Sequence, residues 1–360
     1  MEDQSPLQSD NTINQYSQSR KLLIDGLIHS YEPLTDFDDK TYIIDLFRFQ
    51  FEYNPIYRQF CQRLGVDVSQ IQEIESIPML PISAFKHHVI KTGQWQHQII
   101  FKSSGTQQVG RSLHHVRDVQ FYLNHAKYLW EKQFGRLDQF CFLALLPGYV
   151  DRGDSSLVTM VKYFVNVTKD NGSDFVLGKE DQIHRLVDKA QNQGHKIVLF
   201  GVSFALLNLL ETARLKHPEM MFVETGGMKG LRTEMTKSEL INTLKVGFNS
   251  QNVFSEYGMT ELFSQVYTTG GIDFLKHKYL NIRIKQLQDP LSEEVKGKQG
   301  IIGCIDLANI DSCAFILTED TGMLGENGYL NITGRMDDAD IRGCNLMLSE
   351  EMIEPRKHQI

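Results

Sequence analysis

The sequence predicts an α/β protein: parallel sheets with flanking helices, joined to a β-rich subdomain. Three observations lead there. Between about residues 97 and 258, short apolar runs alternate with amphipathic helical patterns, and each run ends in a loop. From about 265 to 333 the runs are shorter and separated by glycine turns, as in GIIGCIDL, CAFILT and GYLNIT. Before about residue 76 the pattern is helical, with no good strand. Repeated strand, loop and helix favours a parallel sheet with right-handed crossovers, whereas short runs with glycine turns favour a β-rich unit.

Taken in order, residues 1–11 read as a loose tail within a helical N-terminal region spanning 1–75. Asn54-Pro55 places a cap before a proline in the first helical turn and opens the helix PIYRQFCQRL. IPMLPISAFK, with two prolines, reads as a constrained connector. An α/β core follows over 76–264. HQIIFKSS leads into a glycine loop and a helix near 111–133. QFCFLALL leads into PGYVDRGD and a helix from Ser155, and HKIVLFG into a helix across 203–215. MMFVET leads into GGMKG and a helix near 235–246, and NVFSEYG ends in a further loop. The β-rich subdomain covers 265–335, and a short C-terminal tail covers 336–360.

The composition narrows the function. With 41% hydrophobic and 23% charged residues the chain is ordinary globular protein, which excludes wholesale disorder. Thirty-seven basic against 45 acidic residues leave a net charge of −8, which argues against a nucleic-acid binder. No run approaches the length of a membrane span, and the polar N-terminus lacks the apolar core of a signal peptide. Cys61, Cys141, Cys304, Cys313 and Cys344 are scattered and odd in number, with no CxxC pair, so neither a zinc site nor a disulfide framework is expected. The expectation is a cytoplasmic protein.

In open parallel sheets, ligands sit beyond the carboxyl ends of the strands, so the loops at 103–111, 147–154, 226–230 and 257–261 carry the functional interest. Ser103-Ser104-Gly105-Thr106 follows a strand, and small residues there let backbone N–H groups approach an anion. The loop is expected to open a helix, whose positive end adds to the attraction. Gly105 to Ser112 also spells G-x4-G-R-S, close to a Walker A loop but with arginine where that motif needs lysine, and no later strand ends in a matching aspartate. A surface turn without a ligand is the third reading. Arg111 is either a cation at the phosphates or a solvated helix residue. His114-His115 fits packing or surface roles better than catalysis.

The second loop, Ser255-Glu256-Tyr257-Gly258-Met259-Thr260-Glu261, ends in Tyr-Gly-Met-Thr-Glu, which resembles a signature of the adenylate-forming enzymes; a plain strand-to-helix turn capped by Thr260 is its simpler reading. Four more segments resemble that superfamily in order: the Ser-Ser-Gly-Thr loop, Gly226-Gly227, Thr318-Glu319-Asp320, and the hinge motif Gly334-Arg335-Met336-Asp337-Asp338. Within it, IPMLPISAFK, SSGTQ, DSSLVTMVKYF, ETGGMKG and IDLANIDSCAFILTEDTG resemble the LuxE-type acyl-protein synthetases over roughly residues 75–350.

The resemblance implies the large N-terminal domain of the adenylate-forming fold with a truncated C-terminal domain. It implies ATP-dependent activation of a fatty acid or other small carboxylic acid to acyl-AMP, then transfer as a thioester to a protein cysteine. An acyl-accepting protein, a reductase or a carrier, is the implied partner. Transfer of another acyl group to a carrier protein or CoA, or a non-catalytic nucleotide- or acyl-binding subunit, are the rival readings. By the same resemblance, Ser103, Ser104, Gly105 and Thr106 hold the β- and γ-phosphates, Thr260 contacts the α-phosphate, and Glu261 binds Mg²⁺. Gly226, Gly227, Tyr257 and Gly258 border the adenine, while Asp320 and Arg335 reach the ribose. The acceptor thiol implied is Cys344, in Arg342-Gly343-Cys344. GVSFALLNLLE at 201–211 and Tyr163-Phe164 are expected either to line an acyl tunnel or to form a buried helix face.

Overall fold

Three helices open the chain: α1 (Pro6–His29), α2 (Asp39–Tyr53) and α3 (Pro55–Arg63). A computed structural model of the protein describes residues 6–33, 35–103, 110–146, 153–213, 215–226 and 235–336. α1 begins at Pro6, inside the segment expected to be a loose tail; proline fits the first helical turn, where its missing N–H leaves no bond unmade. Asp38 caps α2 by accepting from the Thr41 amide at 3.1 Å, and Asn54 caps α3 by accepting from the Tyr57 amide at 3.1 Å.

The proline-rich connector is more than a link. It contains β1 (Leu80–Pro81), which runs parallel to a strand far along the chain, and the short helix α4 (Ala84–His87). β2 (Ile99–Lys102) and β3 (Leu113–Val116) then form an antiparallel pair of their own, from Ile99 opposite Val116 to Lys102 opposite Leu113. The expected helix near 111–133 starts only at α5 (Val119–Phe134), where Asp118 accepts from the Phe121 amide at 2.9 Å.

Alternating strands and helices follow: β4 (Phe140–Leu145), α6 (Ser156–Val167), β5 (Asp174–Phe175), α7 (Ile183–Asn192), β6 (Lys196–Val202), α8 (Ser203–Ala213), β7 (Met221–Thr225), α9 (Lys237–Phe248), β8 (Val253–Tyr257) and β9 (Val266–Tyr267). Their sheet has the order β5-β4-β6-β7-β8-β9, parallel from β5 to β8, with β9 antiparallel at the edge. Every residue of β4 is buried, as expected of a parallel strand covered on both faces. Trp130 of α5 is fully buried between Phe134 and Phe142, with ring centroids 4.5 and 4.8 Å away. Such aromatic contacts contribute about 0.5–1.5 kcal/mol each beyond their area.

The last part is antiparallel: β10 (Asp273–Phe274), β11 (Leu280–Lys285), β12 (Gly300–Asp306), β13 (Phe315–Leu324) and β14 (Leu330–Arg335), in the order β10-β14-β13-β12-β11, with β1 added beside β13. The N-terminal helices are bonded to it. Gln50 of α2 donates to the Asn309 carbonyl at 2.8 Å and accepts from the Ala314 amide at 2.8 Å. Arg20 of α1 holds Asp311 with two bonds of 2.6 Å, a fork geometry that fixes the angle as well as the distance.

Candidate functional site

The carboxyl ends of the parallel strands open into a cavity of about 1300 Å³, whose far wall comes from β13 and β14. Ser103 and Ser112 line it and mark the base of the glycine loop. The Ser112 amide donates to Ser103 Oγ at 3.0 Å, and the Ser103 amide donates to the Ser112 carbonyl at 3.2 Å. The loop therefore joins two antiparallel strands and does not open a helix. This removes the helix-dipole argument and the Walker A reading, both of which need a helix directly after the loop. Ser104, Gly105 and Thr106 themselves lie outside the described residues.

Thr260 and Glu261 line the same cavity. The chain after β8 does not enter a helix, so Thr260 is no N-cap. The turn is held from below instead. His114 Nδ1 lies 2.8 Å from the Thr260 carbonyl, and Asn309 Nδ2 donates to the Glu261 carbonyl at 2.8 Å. Burial pushes the His114 imidazole down to about 4, so the ring is neutral and acts as a brace. Glu261 is only 4% exposed. Burial raises its carboxyl above the usual range, opposed by a hydrogen bond from Ser112 and the charge of Arg335.

Tyr257 and Asp320 meet across the cavity from separate sheets, the phenol donating to Asp320 Oδ2 at 2.9 Å. Burial raises the Asp320 carboxyl, and the phenol's hydrogen bond works against that shift. Arg335 stands opposite Asp320 in the strand register, but its guanidinium bonds Glu319 at 2.6 Å; Lys86 of α4 reaches the other Glu319 oxygen at 3.4 Å. Gly226 lines the cavity with a φ of +74°, a conformation that a side chain would strain, and its carbonyl accepts from Ser203 at 3.0 Å. Gly258 lines it too, whereas Gly227, Asp337, Asp338 and Cys344 lie outside the described residues.

Sequence reasoning left Lys86, Glu319 and Glu256 without a role, yet all three line the cavity. Lys86 lay inside a connector with no chemical pattern of its own. Arg111 lines the cavity, and so does Asp154, which pairs with Lys102 at 3.3 Å; Asp151 and Arg152 lie outside the described residues. Of the expected tunnel residues, Val202 lines the cavity, but Phe164 packs into the core against Phe142. Cys61, Cys141, Cys304 and Cys313 are buried.

Among the described residues no cluster of three or more metal-ligating side chains occurs. Glu261, a buried carboxyl that lines the cavity, suits Mg²⁺, which keeps waters and phosphate oxygens and takes one or two protein carboxylates. Nor is any helix among the described residues long and apolar enough to cross a membrane.

Residues 9–133 match the family described as acyl-protein synthetase, LuxE. No curated protein matches the chain in sequence. Among solved structures, 2-hydroxyisobutyryl-CoA ligase in the postadenylation state, in complex with 2-HIB-AMP, superposes with a TM-score of 0.62 at 14% identity, covering 86% of this chain and 70% of that one. ATP-bound MatB from Rhodopseudomonas palustris superposes with a TM-score of 0.50 at 18% identity, covering 67% of this chain and 49% of that one. The fold is that of the adenylate-forming ligases.

Proposed function

We propose that the protein activates a carboxylic acid with ATP and passes the acyl group to a thiol. One observation carries the reading: the base of the glycine loop, the Thr260–Glu261 turn, Gly226 and the Tyr257–Asp320 pair line a single cavity. In the first step a substrate carboxylate oxygen attacks the α-phosphorus of ATP. The P–O bond to the β-phosphate breaks, and pyrophosphate leaves with that electron pair. In the second step a thiolate attacks the acyl carbon, the C–O bond to AMP breaks, and AMP departs.

In this reading the Thr260 hydroxyl donates to the α-phosphate and Glu261 supplies a hard oxygen for Mg²⁺, which neutralises phosphate charge. Asp320 accepts from the ribose hydroxyls, and Arg335 reaches the same sugar. Tyr257, Gly226 and Gly258 border the adenine. The residues act mainly by positioning and by charge. ATP–pyrophosphate exchange across a panel of carboxylic acids tests the first step, and failure with every acid would refute it.

Asp320→Ala is expected to weaken ATP binding by about 1.5–3 kcal/mol, the range for hydrogen bonds to a charged group, while acid binding changes little. Titration of the variant with each ligand checks this. Equal loss of both affinities would mean that the β13–β14 wall had collapsed.

The finer reading, drawn from the family resemblance, is that the acid is a fatty acid or another small acid and the acceptor a protein cysteine. The candidate is Cys344. A tethered thiol acts at high effective concentration, and Arg342 beside it favours the thiolate. Cys344→Ser is expected to keep pyrophosphate exchange and to lose the hydroxylamine-sensitive label after incubation with ATP and labelled acid. A label that persists would move the acceptor to a carrier protein, CoA or another cysteine.

A further inference from the structure

The cavity has a second polar wall, separate from the Tyr257–Asp320 pair. Successive side chains on a strand face opposite ways, and Tyr257 of β8 turns to Asp320 of β13. Glu256 turns instead to β7, where Thr225 donates a hydrogen bond to Glu256 Oε2. Tyr122 of α5 and Tyr267 of β9 lie close enough to feel its charge. Glu256 lines the cavity but is only 7% exposed.

Beside it, Gln265 is 4% exposed and also lines the cavity. Its Nε2 donates to the Phe263 carbonyl at 3.0 Å, while Oε1 has no donor among the described residues. A Cβ on Gly258 would lie 2.6 Å from Glu256 Oε1 and 3.2 Å from Gln265 Cγ, so both side chains pack against this glycine, where a larger residue would displace them. Leu146, Val158 and Met160 supply apolar surface to the same cavity. A site for an unsubstituted acyl chain gains nothing from a buried carboxyl held by a single hydroxyl or from an orphan amide oxygen, and burying polar atoms short of partners costs free energy. Buried acceptors that converge on a cavity are instead the means by which a site selects a polar ligand.

We propose that Glu256 and Gln265 form a recognition pair that selects a carboxylic acid bearing its own hydrogen-bond donor, a hydroxyl or amino group, over the unsubstituted acid. The inference rests on the acid-activating function proposed above and names its substrate class. An acid lacking the donor leaves Gln265 Oε1 unmet and Glu256 with only the bond from Thr225, and sites that leave buried acceptors unmet discriminate strongly.

The test uses matched acids, dodecanoate and butyrate against their α- and β-hydroxy and amino forms, with two readouts: pyrophosphate exchange, and acid-induced thermal shift of the full chain with AMP present. The wild-type protein is expected to favour at least one substituted acid by about tenfold or more in kcat/KM and in affinity. Glu256→Leu and Gln265→Leu should each bring the pair near parity, and Glu256→Gln, which keeps an acceptor, should retain several-fold preference. Retained AMP binding shows that each variant is folded. Equal or better use of the unsubstituted acid by the wild type, or a preference that survives both leucine variants, overturns the proposal. Exchange without preference refutes the recognition pair and leaves acid activation standing. A binding preference erased by the leucine variants, with no exchange for any acid, supports the pair and refutes adenylation.

Discussion

Glu261→Gln is expected to reduce Mg²⁺-dependent pyrophosphate exchange by about a thousandfold or more while the fold survives. Removing a metal-bound carboxylate takes away several kcal/mol of charge stabilisation, and each 1.36 kcal/mol is about tenfold in rate. The fold should tolerate the change because the native carboxyl is already costly. Burial raises its pKa, so its ionised form weakens folding as pH rises through that value, and a neutral isostere escapes the cost. Steady-state exchange beside a thermal melt checks both halves. Wild-type exchange in the variant would remove Glu261 from the reaction.

Asp306→Ala is expected to cost about 3 kcal/mol or more of stability. The Asp306 carboxylate is fully buried and accepts from the Phe263 amide at 2.6 Å, the Ser264 amide at 3.0 Å, Ser264 Oγ at 2.6 Å and the Ala308 amide at 3.1 Å. Alanine would leave three buried amides without an acceptor and the Ser264 hydroxyl with only the Tyr279 carbonyl at 3.4 Å, each lost amide bond costing on the order of 1–3 kcal/mol if no water replaces the carboxylate. The segment it holds follows Glu261 directly, so exchange activity should fall with the unfolding midpoint. Denaturant melts of both proteins measure the difference; a loss below about 1 kcal/mol would show that water or a neighbouring group replaces the carboxylate.

The alternation of β4, β6, β7 and β8 with helices was legible because fully buried strands and amphipathic helices differ in period. The antiparallel strands after residue 265 were legible from glycine turns. The β2–β3 pair was not. Leu113–Val116 is only four residues long and runs straight into the strong helical pattern of α5, so its strand character was absorbed into the helix. Asp118, the cap that separates them, was the available signal. The Tyr257–Asp320 bond and the Glu319 pairs with Arg335 and Lys86 join residues far apart in sequence, and no local pattern encodes such meetings. Glu256 stood inside the quoted loop, but whether a glutamate there is solvated or buried depends on Thr225 and Gly258, which only the folded sheet brings to it.

The pairing of β1 with β13 sets the timing of folding. Leu80 lies opposite Ile316, so 236 further residues (316 minus 80) must be synthesised before Leu80 has its partner. At about 5–20 residues per second a ribosome needs roughly 12–50 s for that stretch. During this interval Gln50 and Arg20 lack their partners at Asn309, Asp311 and Ala314, although Tyr31 of α1 can already stack on Tyr128 of α5. The parallel sheet, whose partners lie closer in the chain, can assemble first, while the bonds from α1 and α2 to residues 309–314 form later. The contacts that join the first residues of the chain to the antiparallel sheet are therefore expected to be among the last to form.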